Sequence, residues 1–137
     1  MDTGGVKGRS GLERSSVIRG LADALGLAGD SVINEFGMTE LLSQRYGYGD
    51  PPWPLVGPPW LRSRVLDPLT LDELPTGEVG ILCHYDLANL GSVCAVLTED
   101  QGRIVGDGIE WVGRTPGAPP RGCSLATAEL LEAQHRA

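Results

Sequence analysis

The sequence predicts a mixed chain of the α/β (mixed α+β) class. A helix–strand unit of a larger parallel sheet comes first, then a small antiparallel β-sheet or barrel subdomain, then a C-terminal helix. Three observations carry this prediction. An amphipathic stretch ending at Leu25 is followed, after a short loop, by the apolar run Ser31 to Phe36. From Trp60 onward, short apolar segments recur with turn residues between them. Near the end, Ser124 precedes Leu125, Leu130 and Leu131, which stand at helical spacing.

In chain order, Thr3-Gly4-Gly5-Val6-Lys7-Gly8-Arg9 is a glycine-rich loop with almost no chain in front of it. Such loops normally follow a strand, and here the strand is missing. The loop does not match G-x-x-x-x-G-K-[ST], because Gly8 follows Lys7. Ser10-Gly11-Leu12-Glu13 reads as a capping box, with Ser10 at the N-cap and Glu13 three residues on. The helix it opens carries Val17, Ile18, Leu21, Ala22 and Leu25 on one face, and Gly26 is its stop signal. A helix and strand of this kind need neighbouring strands to be buried against, and nothing upstream supplies them. The expectation is a chain that begins in the middle of a larger architecture and, in isolation, exposes the helix face that a missing sheet would cover.

Residues 47–60 form a proline-aromatic loop, either a rigid connector packed by Trp53 and Trp60 or a polyproline ligand for another domain. Leu61 to Asp67 then alternates with period two, and Leu74-Pro75-Thr76-Gly77-Glu78 is a turn. Val79 to Tyr85 and Ser92 to Thr98 read as strands. Glu99-Asp100-Gln101-Gly102 reads as a turn, followed by short strands at Arg103 to Val105 and Ile109 to Gly113. Arg114 to Gly122 is a Pro/Gly hinge, and Ser124 caps a final helix through about Gln134.

Bulk properties exclude several function classes. A chain of 137 residues accommodates one domain with a real core. A formal net charge of -7 argues against a nucleic-acid or anionic-membrane surface, which needs a basic patch. No apolar run is long enough to span a bilayer, and Met1-Asp2-Thr3-Gly4-Gly5 lacks the regions of a signal peptide. Three cysteines without a C-x-x-C pair make neither a disulfide framework nor a zinc site. His84 beside Cys83, with His135 distant, adds no metal-ligand spacing. A reducing cytoplasm is the simplest compartment.

The stretch with chemistry in it is Asn34-Glu35-Phe36-Gly37-Met38-Thr39-Glu40-Leu41. A hydrophobic strand runs into a glycine, and a hydroxyl and a carboxylate follow side by side. Ligands bind where strands end and loops begin. Thr39 has a hydroxyl for a phosphate oxygen, and Glu40 a hard oxygen ligand for magnesium. The alternative is a strand-end turn, with Thr39 capping a short helix and Glu40 in its first turn. On the octapeptide alone the turn is the simpler reading.

Taken together, several segments resemble the adenylate-forming enzymes, and within them the acyl-protein synthetases of the LuxE type. They are Gly4-Gly5 with Lys7-Gly8, Phe36-Gly37-Met38-Thr39-Glu40, Arg64-Val65-Leu66-Asp67-Pro68, Gly77-Glu78-Val79-Gly80 and Tyr85-Asp86-Leu87-Ala88-Asn89. Thr98-Glu99-Asp100-Gln101-Gly102, Gly113-Arg114 and Arg121-Gly122-Cys123-Ser124-Leu125 follow in family order. The resemblance implies the C-terminal part of an ATP-dependent ligase that converts a fatty acid or other carboxylic acid to an acyl-adenylate and passes the acyl group to a thiol. It implies residues 1–50 as the end of a nucleotide-binding α/β subdomain, 51–115 as an antiparallel β subdomain, and 116–137 as hinge and C-terminal helix.

Roles carry over position by position. Gly4 and Gly5 resemble the loop against adenine, beside Gly37 and Met38, and Phe36 stands where the superfamily usually has a stacking tyrosine. A phenyl ring stacks equally well. Thr39 would contact the α-phosphate, Glu40 the magnesium, Asp100 the ribose hydroxyls and Arg114 the nucleotide. Two of these assignments meet a plainer alternative: Asp100 alone is an exposed turn acid, and Arg114 alone a surface arginine. Cys123 resembles the cysteine that carries the acyl group as a thioester. It lies just before a helix and near Arg121, where a thiolate is stabilised; the alternative is a buried cysteine packing the hinge. Cys83 and Cys94 lie inside strands and read as small core residues. Two departures stand out: nothing matches the family's Ser/Thr/Gly-rich phosphate loop, and its catalytic lysine is absent, with Lys7 far from that place. The implied partners are therefore an upstream portion of the enzyme, or an acyl-accepting protein. A non-catalytic binding or assembly module retaining the fold is the competing reading.

Overall fold

A computed structural model describes residues 1–3, 14–28, 31–49 and 52–118. Gly4, Gly5, Lys7, the capping box at Ser10–Glu13, Cys123 and the C-terminal helix lie outside the described residues.

The chain is a mixed α/β structure with one helix and two sheets among the described residues. The first sheet has the order β1-β2-β3, with β1 at Asp2–Thr3, β2 at Ile33–Phe36 and β3 at Arg45–Tyr48. β1 pairs parallel to β2, so the strand expected to be missing before the glycine-rich loop is present as a two-residue piece. Helix α1, Arg14–Leu25, connects the two parallel strands. It stops where Gly26 adopts a φ of 64°, with Leu27 N–H bonded to the Ala22 carbonyl (2.8 Å) and Gly26 N–H to that of Asp23 (3.2 Å). That double closure is the Schellman arrangement, which glycine permits at no steric cost. The helix buries one part of its apolar face and leaves exposed another, the side on which uncovered surface was expected. Ile18 and Ala22 are buried, whereas Leu21 and Leu25 are exposed.

The second sheet is antiparallel, in the order β4-β5-β6-β7. Its strands are Leu61–Leu66, Gly80–Asp86, Ala95–Val105 and Gly108–Arg114. β5 is central and nearly all buried, and so reads as a continuous apolar run. β4 is half-buried, with Leu61 and Val65 inward and Arg62 and Arg64 outward. Glu99-Asp100-Gln101-Gly102 is not a turn. It is the middle of the single eleven-residue strand β6, with a register irregularity at Gln101/Gly102. The true reversal comes at Gly106-Asp107, where Gly106 has a φ of 55°. The polar run misled because turn-forming residues also tolerate a bulge. The turn at Leu74–Glu78 is present, with Gly77 at φ 92°.

Two residues of the proline-aromatic connector join the sheets. Leu55 exchanges backbone hydrogen bonds with Ile109 of β7 (2.7 and 3.2 Å), and Val56 does so with Tyr46 of β3 (2.8 and 2.9 Å). Trp53 is buried as expected, but Trp60 is half exposed. A Cβ placed at Gly47 would come 2.6 Å from the Trp53 Cβ, so the strand at 45–48 needs glycine where the indole crosses it. The core is Leu55, Val65, Leu82 and Ile109, with Phe36, Leu74, Ile104 and Trp111 packed against it. Burial of each aliphatic side chain contributes on the order of 2 kcal/mol. The small barrel alternative is not formed; β4 and β7 are the two ends of the sheet order.

Candidate functional site

The Thr39–Glu40 corner is the tip of the connection between β2 and β3, whose pairing closes at Phe36 opposite Arg45. Leu41 N–H bonds to the Met38 carbonyl (3.1 Å), which makes the tip a turn and not a helix start. Thr39 and Glu40 are exposed, and the Thr39 hydroxyl donates to a Glu40 carboxylate oxygen at 3.0 Å. A hydroxyl and a carboxylate therefore lie side by side on the turn.

Behind the exposed tip the loop is pinned to the other sheet. Asp86, the last residue of β5, is fully buried. Its Oδ2 accepts the backbone N–H groups of Leu42 (2.9 Å) and Ser43 (2.7 Å), and its Oδ1 accepts the Ser43 hydroxyl (2.9 Å) and the Ala88 N–H (3.1 Å). Burial pushes the Asp86 carboxyl up, but the hydrogen bonds from Ser43, Ala88 and Leu42 hold it below its ordinary value. Asn89 is also buried, and its side-chain N–H groups reach the carbonyls of Glu40 (3.1 Å) and Val93 (3.0 Å). The Trp60 indole donates to the Ser43 hydroxyl at 3.0 Å. Sequence reasoning placed Asp86 and Asn89 in a motif that carries the family resemblance, and Trp60 in the connector, but gave none of them a part in holding this loop. The available signal was an aspartate closing the otherwise apolar strand Gly80–Asp86, since a charge that deep must have donors around it.

Phe36 is half-buried. Its ring lies against the core and tilts 51° to the His84 ring at a centroid distance of 5.9 Å. His84 sits in a second buried polar group. Arg45 Nη2 donates to the Leu61 carbonyl (3.3 Å) and to the Ser63 hydroxyl (2.7 Å), and Ser63 Oγ lies 2.6 Å from His84 Nδ1. The Ser63 hydroxyl thus bridges Arg45 and the imidazole, whose other nitrogen is Nε2. That nitrogen is buried without a partner among the described residues. Burial, then the charge of Arg45, lowers the His84 pKa from 6.5 to about 4. Burial, then Arg62, lowers that of Arg45 to about 10, against the opposing pull of Asp86.

Asp100 and Arg114 face each other across β6 and β7. Arg114 donates to Asp100 Oδ1 (3.1 Å) and to Glu99 Oε2 (2.7 Å), so the structure brings together two residues expected at the nucleotide. Strand β5 relates this pair to the Thr39–Glu40 loop: Phe36 packs on His84 of β5, and Thr98 of β6 donates its hydroxyl to the Leu82 carbonyl at 2.8 Å. Cys83 is buried in β5 as expected. Cys94 is not a core residue; it is exposed and precedes β6. A cavity of about 170 Å³ beside Arg45, Arg62 and Asp107 contains none of the expected site residues. Among the described residues no cluster of three or more His, Cys, Asp or Glu could hold a metal by itself, and no helix is long and apolar enough to cross a membrane.

The fold is one already known. The chain matches the crystal structure of ATP-bound MatB from Rhodopseudomonas palustris with a TM-score of 0.54 at 22% identity, over 73% of this chain and 23% of that one. Apo MatB from the same organism matches with a TM-score of 0.56, over 78% of this chain and 24% of that one. The mixed α/β fold is therefore that of a portion of MatB. At the level of sequence the chain resembles the LuxE-type acyl-protein synthetases. It is 31% identical over 85 residues to the long-chain-fatty-acid–luciferin-component ligase of Vibrio harveyi, covering 57% of this chain and 22% of that protein. It is 30% identical over 84 residues to the ligase of the same name from Aliivibrio fischeri, covering 55% and 22%. The chain thus spans about a fifth of the length of the curated relatives it matches. No protein-family model matches it.

Proposed function

We propose that this chain supplies the nucleotide-and-metal corner of an ATP-dependent acyl-protein synthetase. Its substrate would be a fatty acid or another carboxylic acid, activated to an acyl-adenylate and then passed to a cysteine thiol. The observation that carries this reading is the exposed Thr39–Glu40 pair, side by side on a turn held from behind by a buried carboxylate. The luciferin-component ligases and ATP-bound MatB support it by likeness.

In this reading the Thr39 hydroxyl gives up its bond to Glu40 and donates instead to an α-phosphate oxygen. Magnesium is commonly held by one or two carboxylates together with substrate phosphates, so a single exposed Glu40 fits as its protein ligand. The metal would neutralise phosphate charge there. Asp100 accepts the ribose hydroxyls through the acceptor capacity that Arg114 does not fill, and Arg114 orients that carboxylate. Gly37 and Met38 line the approach, and the exposed part of the Phe36 ring flanks adenine. Gly4 and Gly5, against adenine, and Cys123, as acyl carrier, are part of the same proposal. An upstream portion carrying the phosphate loop and most of the acyl pocket completes the enzyme.

The test supplies that portion in trans and measures fatty-acid-dependent pyrophosphate release. Release that depends on both chains and is lost in Glu40→Gln supports the reading; no release overturns it. Labelled acyl transfer with hydroxylamine release checks the thiol, and label surviving in Cys123→Ser excludes that residue. A non-catalytic assembly module is favoured by one observation, that Arg114 already pairs with Asp100 and Glu99. Such a module would bind no nucleotide, and Glu40→Gln or Asp100→Asn would leave its partner binding unchanged.

A further inference from the structure

We propose that Asp86 and Asn89 are positioning residues for the phosphate-and-metal corner: they hold the Thr39–Glu40 turn of one sheet in a set place against the other sheet. The inference rests on the nucleotide reading above and extends it to residues that touch neither phosphate nor metal.

Geometry carries it. The loop from 37 to 44 joins β2 to β3, yet its anchors come from β5 and the turn after it, more than forty residues away in sequence. Asp86 takes the Leu42 and Ser43 N–H groups and the Ser43 hydroxyl, and Asn89 takes the Glu40 carbonyl itself. The backbone is thus gripped at residues 40, 42 and 43, immediately beside the two side chains that would meet the ligand. Bonds to a charged acceptor are the shorter and stronger kind. All three loop contacts to Asp86 measure 2.7 to 2.9 Å. The clamp is also braced at its back. Ala88 N–H donates to Asp86 Oδ1, the Asp86 N–H bonds to the Cys94 carbonyl (2.8 Å), and the Leu87 N–H bonds to the Trp60 carbonyl (3.1 Å). These bonds satisfy N–H groups that would otherwise lack an acceptor, and in the same stroke they fix the backbone beside Glu40. Holding a ligand carboxylate to within a fraction of an ångström calls for supporting bonds of this kind.

The experiment uses the 137-residue chain with the upstream portion supplied in trans, its Asp86→Asn and Asn89→Ala variants, and ATP with and without magnesium. In wild type, magnesium tightens ATP binding measured by calorimetry. In each variant that gain is expected to fall about tenfold, which corresponds to about 1.4 kcal/mol. ATP affinity without magnesium should change less than about twofold. A simple loss of folded protein would instead weaken both conditions together. Hydrogen exchange supplies a readout independent of nucleotide. The Leu42 and Ser43 amides should be protected in wild type and exchange on the order of tenfold faster in Asp86→Asn, with β6 and β7 amides unchanged. A folded Asp86→Asn that keeps both the magnesium gain and the amide protection overturns the proposal, as does loss of fold in both variants. If wild type with the upstream portion supplied binds no ATP, the nucleotide reading itself fails and this inference falls with it. That result differs from wild-type binding that both variants retain.

Discussion

Asp86 and Asp100 stand on neighbouring strands, β5 and β6, and are used in opposite ways. Asp86 is fully buried and receives four hydrogen bonds from Leu42, Ser43 and Ala88. Asp100 keeps 13% of its side chain exposed and pairs through Oδ1 with Arg114. A carboxylate has about four lone-pair sites. Asp86 has spent its capacity on the protein, whereas Asp100 retains acceptor sites. The lesson is that a saturated buried carboxylate is committed to holding the protein together, whereas a half-satisfied, part-exposed one still has acceptor sites to offer.

The sharpest way to break this contrast is Asp86→Ala. Four donors lose their acceptor at once, so stability is expected to fall by about 3 kcal/mol or more in chemical denaturation. A loss near 0.5 kcal/mol would place Asp86 in the same class as a surface acid.

A second effect of similar size comes from the buried group beside the clamp. His84 ionises near pH 4 in the folded chain and near 6.5 when unfolded. Between these values the unfolded chain takes up a proton that the folded chain refuses. Stability should therefore fall as pH drops from 7 to 4, by up to about 3 kcal/mol at about 1.4 kcal/mol per pH unit. Asp86 has the contrasting window. Its carboxyl lies below its ordinary value, so its contribution is complete above that value and is lost only as pH falls through the lower, folded one. His84→Gln should flatten the slope above pH 4 and leave the more acidic limb in place.

Smaller changes in stability are expected on the ligand side. Asp100→Asn weakens a part-exposed ion pair and should cost less than about 1 kcal/mol. On the proposed function it lowers ATP affinity by about tenfold or more, which calorimetry reads. Glu40→Gln should leave the melting midpoint within the range of an ordinary surface change, about 0.5 kcal/mol. It should remove only the magnesium-dependent part of ATP binding. If Asp100→Asn destabilises as strongly as Asp86→Ala, the division between support and site fails.

Much of the local structure was legible in the chain. The helix ending at Gly26, the strand running into Gly37, the alternation of Leu61–Leu66 and the buried run Gly80–Asp86 all follow from spacing and turn chemistry. These are properties of neighbours in sequence, where steric preference and hydrophobic period act directly. The motifs that resemble the acyl-protein synthetases were legible for the same reason, since each is a short contiguous run.

Tertiary structure decided what depended on pairing at a distance. It made one strand of Ala95–Val105, because β5 and β7 hold the polar run Glu99–Gly102 between them and outweigh its turn preference. It decided which part of the helix's apolar face is covered, burying Ile18 and Ala22 and leaving Leu21 and Leu25 exposed. It turned Asp86 from a strand-end acid into the anchor of a loop more than forty residues away. The sequence by itself determined where the hydroxyl and carboxylate of Thr39 and Glu40 stand along the chain. Only the packing of one sheet's loop onto the other sheet's buried carboxylate decided where they stand in space, because no local interaction reaches that far.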